Sequence, residues 1–415
     1  MIRRRHILAG GLAIPLIARA QGKARVVVVG GGFGGATAAR FLRQYDPAIE
    51  VTLLEPNDTF IACPFSNAVI AGERGMDAQR FGYGAIRKTG VTVVNQAAAS
   101  IDPAARAVTA TSGTKYAYDR LILSPGIDII WNGLKGYDEN AAKILPHAWK
   151  AGEQTLLLRQ QLQAMPDGGV VVMSVPPNPY RCPPGPYERA SLIAWYLKAH
   201  KPKSKMLVLD SKDVFSKQKL FQNAWAALYP GLLEWVSLSD GGKVVSVDPA
   251  TRTFETDFGS HKADVGIVVP PQRAGAIAAR AGVADRTGWC PIDPVTFESR
   301  LVPNIHVVGD SAIAGAMPKS AFAANAQAKV CAQAIVALLH GEQPQEPRLI
   351  NTCYSVAAPD YGFSVAGVYH PVNGALTDIE GAGGTSPIDA PASQRLQEAK
   401  YGDRWFETIT AEVFG

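Results

Sequence analysis

The sequence predicts an α/β protein made of two Rossmann-like domains and a C-terminal capping domain. Three observations carry that prediction. A glycine-rich turn sits between a β-branched run and a helix-forming run near the start. A β-meander recurs at constant spacing. The last seventy or so residues, rich in Gly, Pro and Tyr, follow a linker at Pro344–Pro347.

The first observation is the most local. Arg25–Val29 is an unbroken β-branched strand, Gly30-Gly31-Gly32-Phe33-Gly34-Gly35 follows without a spacer, and Ala36–Arg43 resumes with helix formers. Gly30 permits the tight turn, Gly32 lets backbone approach a pyrophosphate, and Gly35 lets helix and strand pack closely. The helix N-terminus offers free N–H groups to the phosphates. A second strand, Val51–Leu54, ends at Glu55, an acid placed to accept hydrogen bonds from a ribose diol. Gly30, Gly31, Gly32, Gly34, Gly35 and Glu55 are therefore candidate dinucleotide contacts.

The second observation doubles the domain. The meander from Asp102-Pro103 through Arg106 and Gly113 to Ser124-Pro125-Gly126 is repeated at Asp248, Pro249, Arg252, Gly259 and Pro271, always 146 residues on. A gapless offset over a whole meander indicates two copies of one domain type. The second copy opens at Gly169–Met173 but replaces the glycines by Ser174-Val175-Pro176-Pro177-Asn178-Pro179. Proline cannot donate an N–H to phosphate, and its ring blocks close approach, so this copy is expected not to hold NAD(P). Asp210 keeps the strand-end acid and reads as a structural relic. The chain then returns to the first domain at Asn304–Asp310, where Gly309-Asp310 closes a strand ahead of the helical Ala321–His340. In two-domain flavoproteins such an acid binds the sugar-alcohol chain of FAD, so Gly126, Gly309 and Asp310 join the candidate cofactor contacts. The predicted boundaries are 21–140 and 281–345 for the two parts of the FAD domain, 141–280 for the second Rossmann-like domain, and 346–415 for the cap.

With 415 residues, 47% hydrophobic and 19% charged, the chain has the composition of a soluble globular protein of two or three domains. The net charge of +5 is local: Arg3, Arg4, Arg5 and Arg19 are four of 41 basic residues, and the other 37 stand against 36 acids. No basic patch motif remains, which argues against a nucleic-acid partner. Residues 1–20 read as an export signal, with the arginines, an apolar Ile7–Ile17 and small residues Ala18 and Ala20. The arginine pair looks like a twin-arginine signal for folded export, an ordinary secretory signal being the alternative. Either predicts a periplasmic protein without stable membrane insertion, since the apolar run is far below the ~20 residues of a spanning helix. The closing Gln394–Phe414 is a modest amphipathic helix suited to a partner or to the protein's own core.

Five cysteines, at 63, 182, 290, 331 and 353, come with no CxxC, CxxCH or HExxH, so neither haem attachment nor zinc is encoded and no metal site is expected. Cys331 lies in an alanine-rich helix and Cys290 beside Pro291; both read as structural. Cys182, in Tyr180-Arg181-Cys182-Pro183-Pro184-Gly185-Pro186, precedes the helix Tyr187–His200. A helix N-terminus and a neighbouring arginine both predict a favoured thiolate. A Cys182–Cys353 bridge would clamp the cap to the second domain, but it is one of three pairings of four cysteines.

At Leu145–Gln154, Arg181–Arg189, Pro270–Gly275 and Asn351–Ser355 the chain resembles the flavoprotein subunit of flavocytochrome c sulfide dehydrogenase, a disulfide-reductase-like flavoprotein, and the match covers nearly the whole mature chain. The resemblance implies FAD held by a thioether from its 8α-methyl to Cys63, in the loop that also carries Asn67. It implies a redox-active disulfide between Cys182 and Cys353 and an acid/base at Glu188. Hydrosulfide would attack the disulfide, and electrons would pass through FAD to a c-type cytochrome on a separate chain of a heterodimer. Two other readings stay open. One is a sulfide:quinone oxidoreductase. The other is an accessory flavoprotein of a periplasmic sulfur-oxidising complex.

Overall fold

The computed structural model describes residues 23–415, so the export-signal reading lies outside the described residues. Two parallel sheets organise the chain. The first runs Ile305–Val307, Arg120–Leu123, Arg25–Val29, Glu50–Leu54, Thr92–Val94. The second runs Leu233–Val236, Lys205–Asp210, Val170–Val175, Val265–Val268. Strands covered on both faces are apolar throughout. Val26, Val27 and Val28 are at most 2% exposed, and each such side chain contributes about 1.5–3 kcal/mol by leaving water. Ile305–Val307 completes the first sheet only after the second has been built, which is the return predicted from Asn304–Asp310.

The duplicated meander is visible in detail. Ala98–Asp102, Ala107–Ala110 and Lys115–Ala117 answer Val244–Asp248, Thr253–Thr256 and Gly259–Lys262. Both copies carry a bulge at the same place, between Ala98 and Ser100 and between Val244 and Ser246. Both turn through a left-handed arginine, Arg106 at φ 50° and Arg252 at φ 54°. They part at the next turn, where Gly113 has φ 86° while Gly259 already lies in a strand.

The helix Phe33–Tyr45 packs on Ala321–Leu339, both rich in alanine. Ala321–Leu339 is long and apolar enough to cross a membrane by composition, but it buries Ala328, Cys331 and Ala332 completely against the first domain and serves as a core helix. Beyond it, Leu349–Ala358, Tyr361–Val372 and Ala375–Asp378 form an antiparallel sheet, and the final helix Ala392–Phe414 lies across the first domain. Its end is anchored by aromatic packing: the Phe414 ring stacks on Phe60 at 5.2 Å and on Phe81 at 5.4 Å. Leu349–Ala358 meanwhile lies beside the helix Gly185–His200 of the second domain, and Tyr229 Oη donates to Ala357 O at 2.6 Å. The cap thus touches both domains and carries Cys353 to their junction.

Candidate active site: a cavity at the domain junction

The glycine turn, the Asp310 loop, the Cys182 loop and the Cys353 strand converge on one cavity of 450 Å³. On its nucleotide side, Gly30 adopts φ +97°, and a Cβ there would lie 2.3 Å from Ser124 O. A Cβ on Gly31 would lie 2.5 Å from Tyr83 Oη, and that hydroxyl donates to Gly31 O at 3.0 Å. Glu55 accepts from Gly31 N at 2.8 Å and from Asn57 N at 3.0 Å, which fixes the acid at the strand end beside the turn. Gly30, Gly31, Gly32, Gly34, Glu55, Cys63, Asn67, Gly126, Gly309 and Asp310 all line the cavity. Gly35 does not. A Cβ there would meet Gly30 O at 1.8 Å, so this glycine seats the helix on the turn and is removed from the cofactor contacts.

Two buried polar atoms on this wall, Asp310 Oδ1 and Trp149 Nε1, have no hydrogen-bond partner among the described residues. Leaving such atoms unmatched costs about 1–3 kcal/mol each. Both residues line the glycine-cradled cavity, and an unmatched acceptor and donor at its wall fit a ligand carrying hydroxyls and ring heteroatoms, as a flavin nucleotide does. Burial holds the Asp310 carboxyl above its ordinary range, against the pull of Arg181, whose Nη1 is 3.8 Å from Oδ2, and of Lys319.

On the opposite wall stand Cys182, Glu188 and Cys353. Cys182 precedes the helix Gly185–His200 in the left-handed region (φ 57°), its N–H bonded to Lys319 O at 2.9 Å and its carbonyl to Gly185 N at 2.8 Å. Phe65 (φ 65°) and Ala148 (φ 44°) on the same cavity are left-handed too. Such backbone costs on the order of 1–3 kcal/mol per residue and persists where the surroundings over-determine it. Cys353 receives Asn351 Nδ2 at its sulfur, 3.2 Å away. No disulfide links any of the five cysteines here.

The thiolate expected at Cys182 is overturned. The thiol is open to the cavity yet remote from bulk water, and burial, then the charges of Glu188 and Cys353, push it up to about 12. Arg181 and Lys217 pull the other way and lose. Burial outweighs them, and the Arg181 guanidinium is itself engaged by Trp149 O and Asp310. Glu188 is itself held above its ordinary range by burial, moderated by Asn67 Nδ2 at 2.9 Å, by Lys217 and by Val356 N–H at 3.3 Å.

Several residues of this site were not legible as such in the sequence. Arg189 is 2% exposed and donates to His147 O (2.7 Å), Ala148 O (2.6 Å) and Asn67 Oδ1 (3.1 Å), with its guanidinium 4.9 Å over the Trp149 ring. It stands next to Glu188 in the Arg181–Arg189 stretch, and that adjacency was the available signal. Lys217 donates to Cys353 O at 2.8 Å and to Ser355 Oγ at 2.7 Å. In the second domain, Asp210 is fully buried and accepts from Lys212 Nζ (2.6 Å), Tyr187 Oη (2.6 Å) and Trp235 Nε1 (3.0 Å). Lys212 also reaches Pro176 O at 3.1 Å, which ties the acid to the loop after Val170–Val175. The acid is a structural hub, which is more than a relic. Cys290 and Cys331 are fully buried away from the cavity, as expected of structural thiols.

Two parallel-sheet domains, a glycine-turn nucleotide cradle and cysteines on the same cavity define an FAD-dependent oxidoreductase of the disulfide-reductase type. Comparison with known proteins agrees. The profile of the pyridine nucleotide-disulphide oxidoreductases matches residues 24–162. The central and flavin-binding profiles of flavocytochrome c sulfide dehydrogenase match residues 155–270 and 345–414. A flavoprotein chain of sulfide dehydrogenase (flavocytochrome c) from Chlorobaculum thiosulfatiphilum is 67% identical over 48 residues, 12% of this chain and all of that sequence. The mitochondrial sulfide:quinone oxidoreductase of Mus musculus is 22% identical over 338 residues, 77% of this chain and 72% of that one. Among solved structures, the sulfide:quinone oxidoreductase of Aquifex aeolicus superposes with TM-score 0.73 at 20% identity, covering 94% of this chain and 92% of that one. The chain belongs to the flavocytochrome c sulfide dehydrogenase flavoprotein family.

Proposed function

We propose that this chain is a periplasmic sulfide-oxidising subunit in which hydrosulfide reduces a Cys182–Cys353 disulfide. The observation that carries the reading is the convergence of Cys63, Cys182, Glu188 and Cys353 on one cavity with the nucleotide cradle. Hydrosulfide attacks one sulfur of the bridge. The S–S bond breaks, its electron pair departs on the other cysteine as a thiolate, and the attacked cysteine becomes a persulfide. Glu188, whose burial raises its proton affinity, takes the persulfide proton and later returns it. Lone thiolates are costly in this cavity, as the upward-shifted Cys182 records, so the reduced pair is driven either to hold a proton or to give up electrons. FAD, when bound in the cradle, supplies a two-electron acceptor that can release electrons singly.

The cradle residues Gly30, Gly31, Gly32, Glu55 and Asp310 would hold the nucleotide, and Cys63 would carry a thioether to the 8α-methyl. The Cys63 sulfur lies 3.7 Å from Trp149 O on the cavity wall, with its thiol unbridged and available. NAD(P) is not the partner in this reading: Pro176 and Pro177 stand where a phosphate loop would, and Asp210 is already saturated by three donors. Electrons then leave to a c-type cytochrome on a separate chain. The quinone alternative draws on the fold shared with the Aquifex aeolicus enzyme. Against it, the last helix turns Phe406, Ile409, Val413 and Phe414 into the protein's own core.

Purified protein assayed with sulfide and cytochrome c, and separately with quinone, tests the reading. Turnover with cytochrome c that is abolished in Cys182→Ser and in Cys353→Ser, with flavin retained in both, is expected. Turnover with quinone alone would favour the alternative, and wild-type rates in either serine variant would end the disulfide mechanism. Acid precipitation and tryptic digestion test the thioether: yellow colour should stay on the peptide containing Cys63.

A further inference from the structure

Lys217 has no part in the steps above, yet it is placed between two spaces. Its Nζ donates to Cys353 O at 2.8 Å and to Ser355 Oγ at 2.7 Å, and both of those residues line the flavin cavity. The residue also lines a second, outer cavity of 460 Å³, shared with Lys219, Gln222, Thr385 and Ile388. The backbone at Lys217 is left-handed (φ 65°), so the residue is held where the helix Gln218–Leu228 begins with its side chain directed back at the Cys353 strand. An ammonium has three donor hydrogens, and two are used here. Burial disfavours its charge, while Cys353, Glu188 and Cys182, in that order, favour it. Lys219 adds a second cation to the outer cavity. Lys217 thus bonds residues of the flavin cavity and also lines an outer recess that holds a second lysine.

We infer that the outer recess is the port through which small anionic sulfur species reach Cys353, with Lys217 as the positioning residue at its inner end. The inference rests on the sulfide reading above for the identity of the anion, hydrosulfide entering or a short polysulfide leaving. Its test does not need turnover. The full-length flavoprotein is reduced, freed of reductant and alkylated with iodoacetate, an anion, or with iodoacetamide, its neutral counterpart. Labelling is followed on the peptides containing Cys353 and Cys182.

Removing one cation next to the reacting sulfur changes an anion's local concentration by about tenfold at the effective dielectric of such sites. Lys217→Met should therefore lower the iodoacetate-to-iodoacetamide rate ratio at Cys353 by about that factor. Lys217→Arg should keep the ratio near wild type. Ile388→Trp, which fills the recess and touches neither the cysteines nor the cradle, should slow both reagents alike. The flavin absorbance of each variant checks that the site is assembled, and if Lys217→Met loses flavin, Lys217→Arg and Ile388→Trp decide. In turnover, Lys217→Met should raise KM for sulfide and leave kcat within about twofold, the pattern of lost binding that acts equally on ground and transition states. An unchanged rate ratio in Lys217→Met, or wild-type labelling in Ile388→Trp, overturns the port. Failure of the disulfide mechanism would show instead as activity surviving in Cys182→Ser, with these labelling ratios unaffected.

Discussion

Replacing Arg189 by Met should unfasten the site more than any other single change outside the cysteines and glycines. The guanidinium donates to two backbone carbonyls and one amide oxygen, from His147, Ala148 and Asn67. Hydrogen bonds from a charged donor contribute about 1.5–3 kcal/mol each, so three are worth roughly 5–9 kcal/mol. Burying the charge costs part of this back. Burial pulls the group down to about 10, equivalent to about 3 kcal/mol. Met keeps the volume and removes both terms, which leaves a net loss of about 2–6 kcal/mol. For folding units of this size each kcal/mol moves the thermal midpoint by about 2–4 °C, so a fall of about 4–24 °C is expected by calorimetry, with flavin release at the same transition. Arg189→Lys, a single ammonium unable to span three acceptors, should recover less than half of the fall. A midpoint within 2 °C of wild type for Arg189→Met, or full recovery with Lys, would show that the three contacts are incidental.

Acid should destabilise the fold through two histidines. Burial holds His147 down to about 3 and His306 down to about 4, so both are neutral when folded and take up a proton on unfolding. Stability is then complete above the ordinary histidine value near 6.5 and is lost as pH falls toward 4, by up to about 1.4 kcal/mol per pH unit for each. Urea midpoints measured from pH 7 to 4 should trace this, and a flat profile would refute it. Glu188→Gln removes a charge that raises Cys182, so the reduced variant should alkylate at Cys182 several-fold faster than wild type at pH 8; equal rates would separate the two groups. Phe414→Ala deletes the ring stacked on Phe60 and Phe81 and should cost about 3–5 kcal/mol, read as a lowered midpoint and weakened flavin retention.

How much of this was legible from residues alone follows the range of each interaction. The Arg25–Val29 strand, its glycine turn and Glu55 depend on neighbours in sequence, and the structure places them as read. The duplicated meander was legible because a bulge and a left-handed arginine are local constraints, preserved as a unit. The Arg181 reading failed because adjacency in sequence shows the favourable charge but not the burial of the thiol or the facing Glu188 and Cys353, which outweigh it. Lys217 sits in Ser216-Lys217-Gln218-Lys219, which reads as a solvated run of charge. Only the packing of the cap against the second domain gives it partners. Gly35 shows a finer limit, since a packing glycine and a ligand-facing one look alike until the turn is folded around them.

The saturated Asp210 changes how the second domain is to be understood. Three internal donors tie that carboxylate to its own domain, so the strand-end acid is held by protein groups alone. The loop beyond Val170–Val175, where Pro176 and Pro177 stand in place of glycines, leads into the Cys182 segment. On the function proposed above, gene duplication supplied a rigid platform on which the position of a phosphate loop was refitted for sulfur. Restoring glycines to that loop would not bring back a coenzyme pocket unless the lysine and aromatic partners of Asp210 were removed as well.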